Sequence, residues 1–222
     1  PVGTILYQNT VSFPQCYGII LAEGKLLRVI AGSAKGHPLK APRGWVTRPT
    51  AARTREALFN ILGDLVRGSR FLDLFAGSGA VGIEALSRGA ALAVFVERDP
   101  RAVRVLRDNL ARTRLETRAE VLALDAGAAL RLLGRQGRRF ELVFMDPPYG
   151  NGFPGPLLDL VTGHGLLAPA GLVILETSRH NPLPETAGSL HLVRHRRYGD
   201  SVLAFYAEKE VGDEHGNLPG EF

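Results

Sequence analysis

A glycine-rich turn between an apolar strand and a helical run constrains the fold of this chain more than any other feature. The apolar run 71–75 leads into Gly77, Gly79 and Gly82, which satisfy the pattern G-x-G-x-x-G, and residues 83–86 continue as a helix. Strand, glycine turn and helix in this order are typical of nucleotide-binding units. Further apolar runs follow, separated by helical stretches: 92–96, 121–124, 142–145 and 171–175. The sequence therefore predicts one α/β domain with a mostly parallel sheet.

The boundaries of several elements are also predicted. Helices are expected over Pro100–Thr113, Ala126–Arg135 and Phe153–Val161. Residues 191–197 and 202–207 flank a turn at 198–201, which predicts an antiparallel hairpin at the edge of the sheet. Together these patterns favour a Rossmann-like domain of seven strands, preceded by a small β-rich N-terminal element.

Acidic residues stand at the ends of the first four predicted strands. Asp73 lies within the first run, and Glu97, Asp125 and Asp146 follow the next three. Because the carboxyl ends of parallel strands meet at one edge of a sheet, these acids are expected to line one crevice. An NAD site also fits the glycine pattern and Glu97. However, burying Asp73 is costly unless it holds the loop or faces a cation, and S-adenosylmethionine is a cation that carries a ribose and an adenine.

The tetrapeptide Asp-Pro-Pro-Tyr at 146–149 predicts the chemistry of this crevice. The Asp146 carboxylate and the backbone carbonyl of Pro147 can accept both hydrogens of an exocyclic amine on a base, which frees the nitrogen lone pair. Pro147 and Pro148 fix the backbone φ angles, and Tyr149 offers a ring on which a base can stack. These four residues form the predicted catalytic set. A proline-rich turn after a buried strand is the alternative interpretation.

Positive charge is concentrated before the first strand. Residues 28–70 contain nine basic and two acidic residues, a balance of +7 within a chain whose net charge is +5. Trp45 and several turn residues lie among them. Such a segment is typical of a nucleic-acid contact, although a solvated surface without a partner has the same composition. Arg104 and Arg107, on the predicted helix 100–113, are interpreted as a solvated helix face.

Composition favours a folded protein of a reducing compartment. The chain has 222 residues, 45% of them hydrophobic, which suits one α/β domain with a small appendage. The single cysteine, Cys16, permits no internal disulfide, and the six histidines show no metal-ligand spacing. No apolar stretch is long enough to span a membrane. We therefore expect a cytoplasmic, monomeric protein without a metal.

Several motifs together resemble the bacterial small-subunit ribosomal RNA methyltransferase D family. Besides the segments around Gly77, Glu97, Asp125 and Asp146, they are the arginine-containing segments 28–32, 47–50 and 55–60. The resemblance covers about residues 28–207, and the combination of the upstream arginine motif with Asp-Pro-Pro-Tyr is its specific part. It implies methyl transfer from S-adenosylmethionine to the 2-amino group of one guanine in 16S ribosomal RNA, either free or within a small-subunit assembly particle.

The resulting organisation has four parts. Residues 1–27 form an extension of unknown role, interpreted as an extra hairpin or a loose extension and not as a signal peptide. Residues 28–69 form a basic hairpin and helix that docks RNA, residues 70–207 form the methyltransferase domain, and residues 208–222 form a flexible acidic tail.

Specific roles are expected for individual residues. Residues 76–79 are expected to wrap the methionine part of the cofactor, Glu97 to bind the ribose hydroxyls, and Asp125 to accept from the adenine amino group. The full predicted cofactor set is Asp73, Phe75, Ala76, Gly77, Ser78, Gly79, Glu97, Arg98, Asp125 and Ala126. The predicted RNA-binding set is Arg28, Arg48, Thr50 and Arg55.

Two other functions share parts of this pattern. A DNA adenine or cytosine methyltransferase has the same tetrapeptide but requires a separate target-recognition domain. A non-catalytic nucleic-acid-binding module on the same scaffold leaves the acids and prolines without a purpose.

Overall fold

The computed structural model describes residues 27–42, 49–148 and 154–209, with side chains described from residue 52 onward in the second range. The predictions for residues 1–26, Arg48, Tyr149 and the tail 210–222 lie outside these ranges. The backbone of Thr50 lies in a helix, but its side chain is not among those described.

The described residues contain five α-helices and eight strands, which alternate along the chain until the last four strands, which follow one another directly. The first half contains α1 (Pro49–Leu62), β1 (Arg70–Asp73), α2 (Ala80–Ser87), β2 (Leu92–Val96), α3 (Pro100–Thr113) and β3 (Ala119–Leu122). The second half contains α4 (Ala126–Arg135), β4 (Phe140–Met145), α5 (Gly155–Gly163), β5 (Leu167–Ser178), β6 (Thr186–Ala187), β7 (Leu190–Tyr198) and β8 (Ser201–Glu208).

The strands form one sheet in the order β3-β2-β1-β4-β5-β8-β7-β6. The strands from β1 to β5 are parallel, whereas β8 is antiparallel to β5 and β7 is antiparallel to β8. The predicted Rossmann-like fold, with its mostly parallel sheet and antiparallel last hairpin, is confirmed. The strand beyond the predicted seven is β6, a two-residue edge strand that is too short to produce a sequence pattern.

The core has two apolar layers, one on each face of the sheet. Helices α1, α2 and α3 cover one face, with Phe59, Leu86 and Leu106 fully buried against it. Helices α4 and α5 cover the other face, through side chains such as Leu130 and Leu158. This arrangement leaves the carboxyl edge of the parallel strands open between the helix layers, as is usual for sites in such folds.

Local capping explains why two helices have the predicted bounds. Asp99 precedes α3, and its side chain accepts a hydrogen bond from the Arg101 amide at 2.8 Å. Pro100 occupies the first helical position, where its missing N–H costs nothing. Asp125 caps α4 in the same way, accepting from the Ala128 amide at 2.9 Å. Both signals lie within the helices' own sequence, so they are readable without tertiary information.

Strand β5 is longer than predicted. Residues 171–175 are its apolar centre, but the strand extends from Leu167 to Ser178. Its pairing with β4 shifts register between Phe140–Leu167 and Leu142–Leu172, and Ala170 has a positive φ of 57° there. Because the start of β5 is irregular, its first residues do not show the alternation of apolar and polar residues that predicts a strand.

Residues 27–42, the described part of the N-terminal element before α1, contain little regular β-structure. Within residues 27–42 the structure has one isolated bridge, between Arg28 and Pro38, and α1 follows after residue 48. No helix among the described residues has both the length and the hydropathy to cross a membrane.

Candidate active site

The glycine turn connects β1 to α2 at the open edge of the sheet. Gly77 and Gly79 have φ angles of 54° and 81°, in the left-handed region that favours glycine. A Cβ at Gly79 would lie 2.2 Å from the Leu106 side chain, and one at Gly82 would lie 2.3 Å from the Phe95 ring. The three glycines therefore allow the turn itself and the close packing of α2 against β2 and α3.

Two buried carboxylates fix this turn. Glu97, at the end of β2, accepts hydrogen bonds from the Gly77 amide at 2.9 Å and from the Asp99 amide at 2.7 Å. Asp73, at the end of β1, accepts from the Gly82 amide at 3.1 Å. Because each carboxylate oxygen has two lone pairs, Glu97 retains acceptor capacity for hydroxyl groups of a ligand.

Two of the predicted acids at this edge have raised pKa values. Burial and the negative charges of Asp146 and Glu97 raise the pKa of Asp73 to about 7. Asp146 is exposed at this edge of the sheet. The surrounding protein nevertheless desolvates its carboxyl, and this raises the pKa of Asp146 to about 6. The groups that act electrostatically on Asp73 are thus acidic, and a cationic ligand would relieve their repulsion. This donor set fits S-adenosylmethionine, which carries a positive charge.

Glu176 joins this carboxyl cluster, although the sequence predicts no definite role for it. Met145 pairs with Leu175 across β4 and β5, so Asp146 and Glu176 occupy the next position on the two neighbouring strands. Burial and the Asp146 charge raise the pKa of Glu176 to about 8, while a hydrogen bond with Ser201 acts in the opposite direction. The available signal was its position at the end of the fifth apolar run.

The remaining predicted cofactor residues border the same edge. Asp125 is exposed where α4 begins, and its side chain caps that helix. Arg98 is exposed after β2, whereas Ala126 is buried at the start of α4. Phe75, Ala76 and Ser78 lie in the turn between β1 and α2. The structure therefore brings all ten predicted cofactor residues to the carboxyl ends of β1, β2 and β3.

Hydrogen bonds to Glu84 and Ser87 hold the N-terminal segment 27–42 on α2, and we call this set of contacts the clamp on α2. Glu84, fully buried, accepts hydrogen bonds from the amides of Ile30 at 2.7 Å and Ala31 at 2.9 Å. Ser87 accepts from the Ala34 amide through its hydroxyl and from the Ser33 amide through its carbonyl. These backbone contacts cannot be read from any sequence motif.

Arg55 does not fit its predicted role as a surface RNA contact. It is 6% exposed, and its Nη2 donates to the Arg28 carbonyl at 2.8 Å. Burial lowers its pKa, partly offset by Glu84. The prediction is corrected on this basis: Arg55 holds the N-terminal segment between α1 and α2. Arg28 is exposed and remains a candidate for RNA contact.

Asn109 connects the N-terminal segment to the glycine turn. It is fully buried on α3, accepts from the Lys40 amide at 2.8 Å, and donates to the carbonyls of Lys40 at 2.9 Å and Ser78 at 2.8 Å. The sequence does not point to this residue, because an asparagine within a helix carries no local signal of such contacts.

Comparison with known proteins identifies the family. Residues 27–207 match the family model described as conserved hypothetical protein 95. The chain is 41% identical to the YlbH protein of Bacillus subtilis, covering 82% of this chain and 100% of that protein. It is 35% identical to ribosomal RNA small subunit methyltransferase D of Escherichia coli, covering 84% of this chain and 92% of that protein.

Solved structures share the fold of this chain. A hypothetical protein of Thermus thermophilus is 40% identical with a TM-score of 0.69, covering 81% of this chain and 98% of the other. A SAM-dependent methyltransferase from Agrobacterium tumefaciens, at 17% identity and a TM-score of 0.54, shares the fold. The family resemblance predicted from the motifs is confirmed, and the chain belongs to the family of ribosomal RNA small subunit methyltransferase D.

Proposed function

We propose that this protein transfers a methyl group from S-adenosylmethionine to the 2-amino group of a guanine in 16S ribosomal RNA. The observation that carries the proposal is the position of Asp146 beside the glycine turn, within a cluster of carboxyls that suits a cation. Family membership supports the reaction class, and the fold agrees with the S-adenosylmethionine cofactor predicted from the sequence.

The cofactor would be held by the turn and the strand-end acids. The turn at 76–79 would surround its methionine part, Glu97 would accept from the ribose hydroxyls, and Asp125 would accept from the adenine amino group. Asp73 fixes the turn through Gly82, and a cation bound nearby would favour its ionised form. When bound, S-adenosylmethionine supplies the methyl group as an electrophile.

Asp146 would hold the guanine amine. With a pKa of about 6 its carboxyl is mostly ionised at neutral pH, so it can accept one amine hydrogen while the Pro147 carbonyl accepts the other. The amine nitrogen would form a bond to the methyl carbon as the bond from that carbon to the sulfonium sulfur breaks, with the electron pair leaving on sulfur as a neutral thioether. The amine would then lose one proton, to Asp146 or to water. Positioning and charge complementarity supply most of the acceleration in such a site.

The N-terminal element would dock the RNA. Arg28, Lys35 and Arg53 are exposed on this element, and the clamp on α2 holds the segment 27–42 close to the catalytic domain. Phosphate contacts release counterions, so RNA affinity is expected to fall steeply with salt.

Cofactor binding and turnover test this proposal separately. Calorimetry should show binding of S-adenosylmethionine and no binding of NAD. Glu97→Ala and Asp125→Ala should each weaken the binding of S-adenosylmethionine. Tight NAD binding would contradict the cofactor assignment.

For the chemistry, methylation of 16S ribosomal RNA should be lost in Asp146→Asn while cofactor affinity persists. Asp159→Asn, an exposed change on α5, serves as the matched control and should leave turnover unchanged. Full turnover in Asp146→Asn, or methylation of DNA in preference to RNA, would contradict the assigned reaction.

Mass mapping of methylated guanines in RNA from cells without the protein would identify the target.

A further inference from the structure

The hairpin formed by β7 and β8 brings basic residues to the edge that carries the candidate active site. Strand β8 runs antiparallel to β5 and pairs Ser201 with Ser178. The turn at Gly199 and Asp200 therefore lies at the carboxyl end of β5, close to Glu176 along that strand. We call the group Arg179, Arg196 and Arg197, together with this turn, the hairpin tip.

The hairpin tip is exposed and positively charged. Arg179, Arg196 and Arg197 are all exposed. Arg196 donates to the His195 carbonyl at 3.0 Å and Arg197 to the Gly199 carbonyl at 3.1 Å. In the described part of the chain neither of these two forms an ion pair, whereas Arg179 pairs with Asp200 at 3.1 Å. Two cationic groups are thus presented to solvent with no ion-pair partner among the residues that the structure describes.

The charges lie on both faces of the hairpin. Arg196 pairs with Leu203, a residue of the apolar layer beneath α1, and Arg197 pairs with Val202. Directly opposed residues of an antiparallel pair share a face, and neighbours along a strand alternate. Arg196 therefore lies on the side of α1, which also carries the exposed Arg53, and Arg197 lies on the other side.

The distance to the candidate active site suits a nucleic-acid strand. From β4, which ends before Asp146, the sheet continues through β5 and β8 to β7. Three spacings between neighbouring strands amount to roughly 14 Å. A guanine held at Asp146 remains attached to its RNA strand, so the phosphates flanking it come within reach of the arginines. Guanidinium groups bind phosphates through paired hydrogen bonds.

We infer that the hairpin tip is a second RNA-binding surface, which binds phosphates of the ribosomal RNA strand that flanks the target guanine. This inference rests on the proposed function, because it takes the same RNA as the ligand. The RNA contact would then extend beyond the N-terminal element. It would include the hairpin tip, which lies on one side of the candidate active site, whereas α3 lies on the other side.

Paired charge removals test the surface. Arg196→Ala with Arg197→Ala should weaken binding of a 16S ribosomal RNA fragment about tenfold or more at moderate salt, and should reduce the magnitude of the slope of log affinity against log salt by about 2. The control, Arg104→Ala with Arg107→Ala, removes the same charge from exposed positions on α3. It should leave both quantities close to those of the parent protein.

Two further measurements separate the possible causes. Arg196→Lys with Arg197→Lys keeps the charge and should retain the salt slope. Calorimetry with S-adenosylmethionine should give the same affinity for all variants, which shows that each is folded.

Equal losses in the hairpin and α3 variants, or unchanged RNA binding in the hairpin variant, would overturn the inference. A parent protein that binds the RNA but does not methylate it would instead overturn the proposed function, and the binding comparison would still decide whether the hairpin tip contributes.

Discussion

Replacing Gly32 by alanine is expected to destabilise the protein far more than the same change at Gly36. Both glycines have nearly equal φ angles, 82° and 85°. They differ in their surroundings, since a Cβ at Gly32 would lie 1.9 Å from the Ser87 carbonyl oxygen, whereas one at Gly36 would meet nothing within 4 Å. The pair therefore separates the backbone cost of a left-handed residue from the cost of breaking the clamp on α2.

The magnitude follows from the contacts that a shift would break. A left-handed alanine costs roughly 1–2 kcal/mol at either position, and its effect on the unfolded chain is the same for both. To relieve the clash at Gly32, the segment must move away from Ser87, where Ser33, Ala34 and Ala31 form three hydrogen bonds. At about 1 kcal/mol for each bond, Gly32→Ala should cost about 3 kcal/mol more than Gly36→Ala.

Urea unfolding of the two variants and the parent protein measures this difference directly. Limited proteolysis within residues 27–42 should show earlier cleavage in Gly32→Ala alone, because its segment is released from α2. Similar unfolding free energies for the two variants, with equal proteolysis, would refute the steric argument and the clamp together.

Three other predictions concern the candidate active site and its supports. Burial raises the pKa of Asp73 from 3.8 to about 7, so the folded protein binds more protons than the unfolded chain in this window and its stability falls as pH rises through it. Between about pH 5 and pH 8, Asp73→Asn should remove up to roughly 3 kcal/mol of this fall in the free energy of unfolding. If the pH dependence of urea unfolding is the same in Asp73→Asn and in the parent protein, Asp73 does not have the raised pKa. Asn109→Ala should lower the free energy of unfolding by about 2–3 kcal/mol and weaken cofactor binding, because the hydrogen bond to the Ser78 carbonyl is lost. Asp108→Ala, at an exposed neighbouring position, should leave the cofactor affinity measured by calorimetry unchanged. Equal effects of the two changes would contradict the link between Asn109 and the glycine turn. Glu176→Gln should abolish an alkaline inflection near pH 8 in the kcat/KM profile, since the carboxyl with a pKa of about 8 is lost, and an inflection that persists would assign it to another group.

The sequence by itself determined the parts of this protein whose signals are local. The strand, glycine turn and helix around Gly77, and the bounds of α3 and α4, follow from residues within a few positions of one another. Capping by Asp99 and Asp125 and the apolar periods act over single turns, so they need no knowledge of distant contacts. The acids at the strand ends were predictable for a related reason, because parallel strands must end at a common edge.

Only the tertiary structure decided how the distant segments meet. Arg55 looked like an RNA contact by composition, but its charge is buried against a carbonyl 27 residues away. Asn109 bonds to Lys40, 69 residues away, and Glu176 gains its electrostatic environment from Asp146 through strand pairing. An arginine, an asparagine or a glutamate has the same letter in the core and at the surface. Its role depends on the neighbours that folding supplies, and the free energy of burial is set by those neighbours.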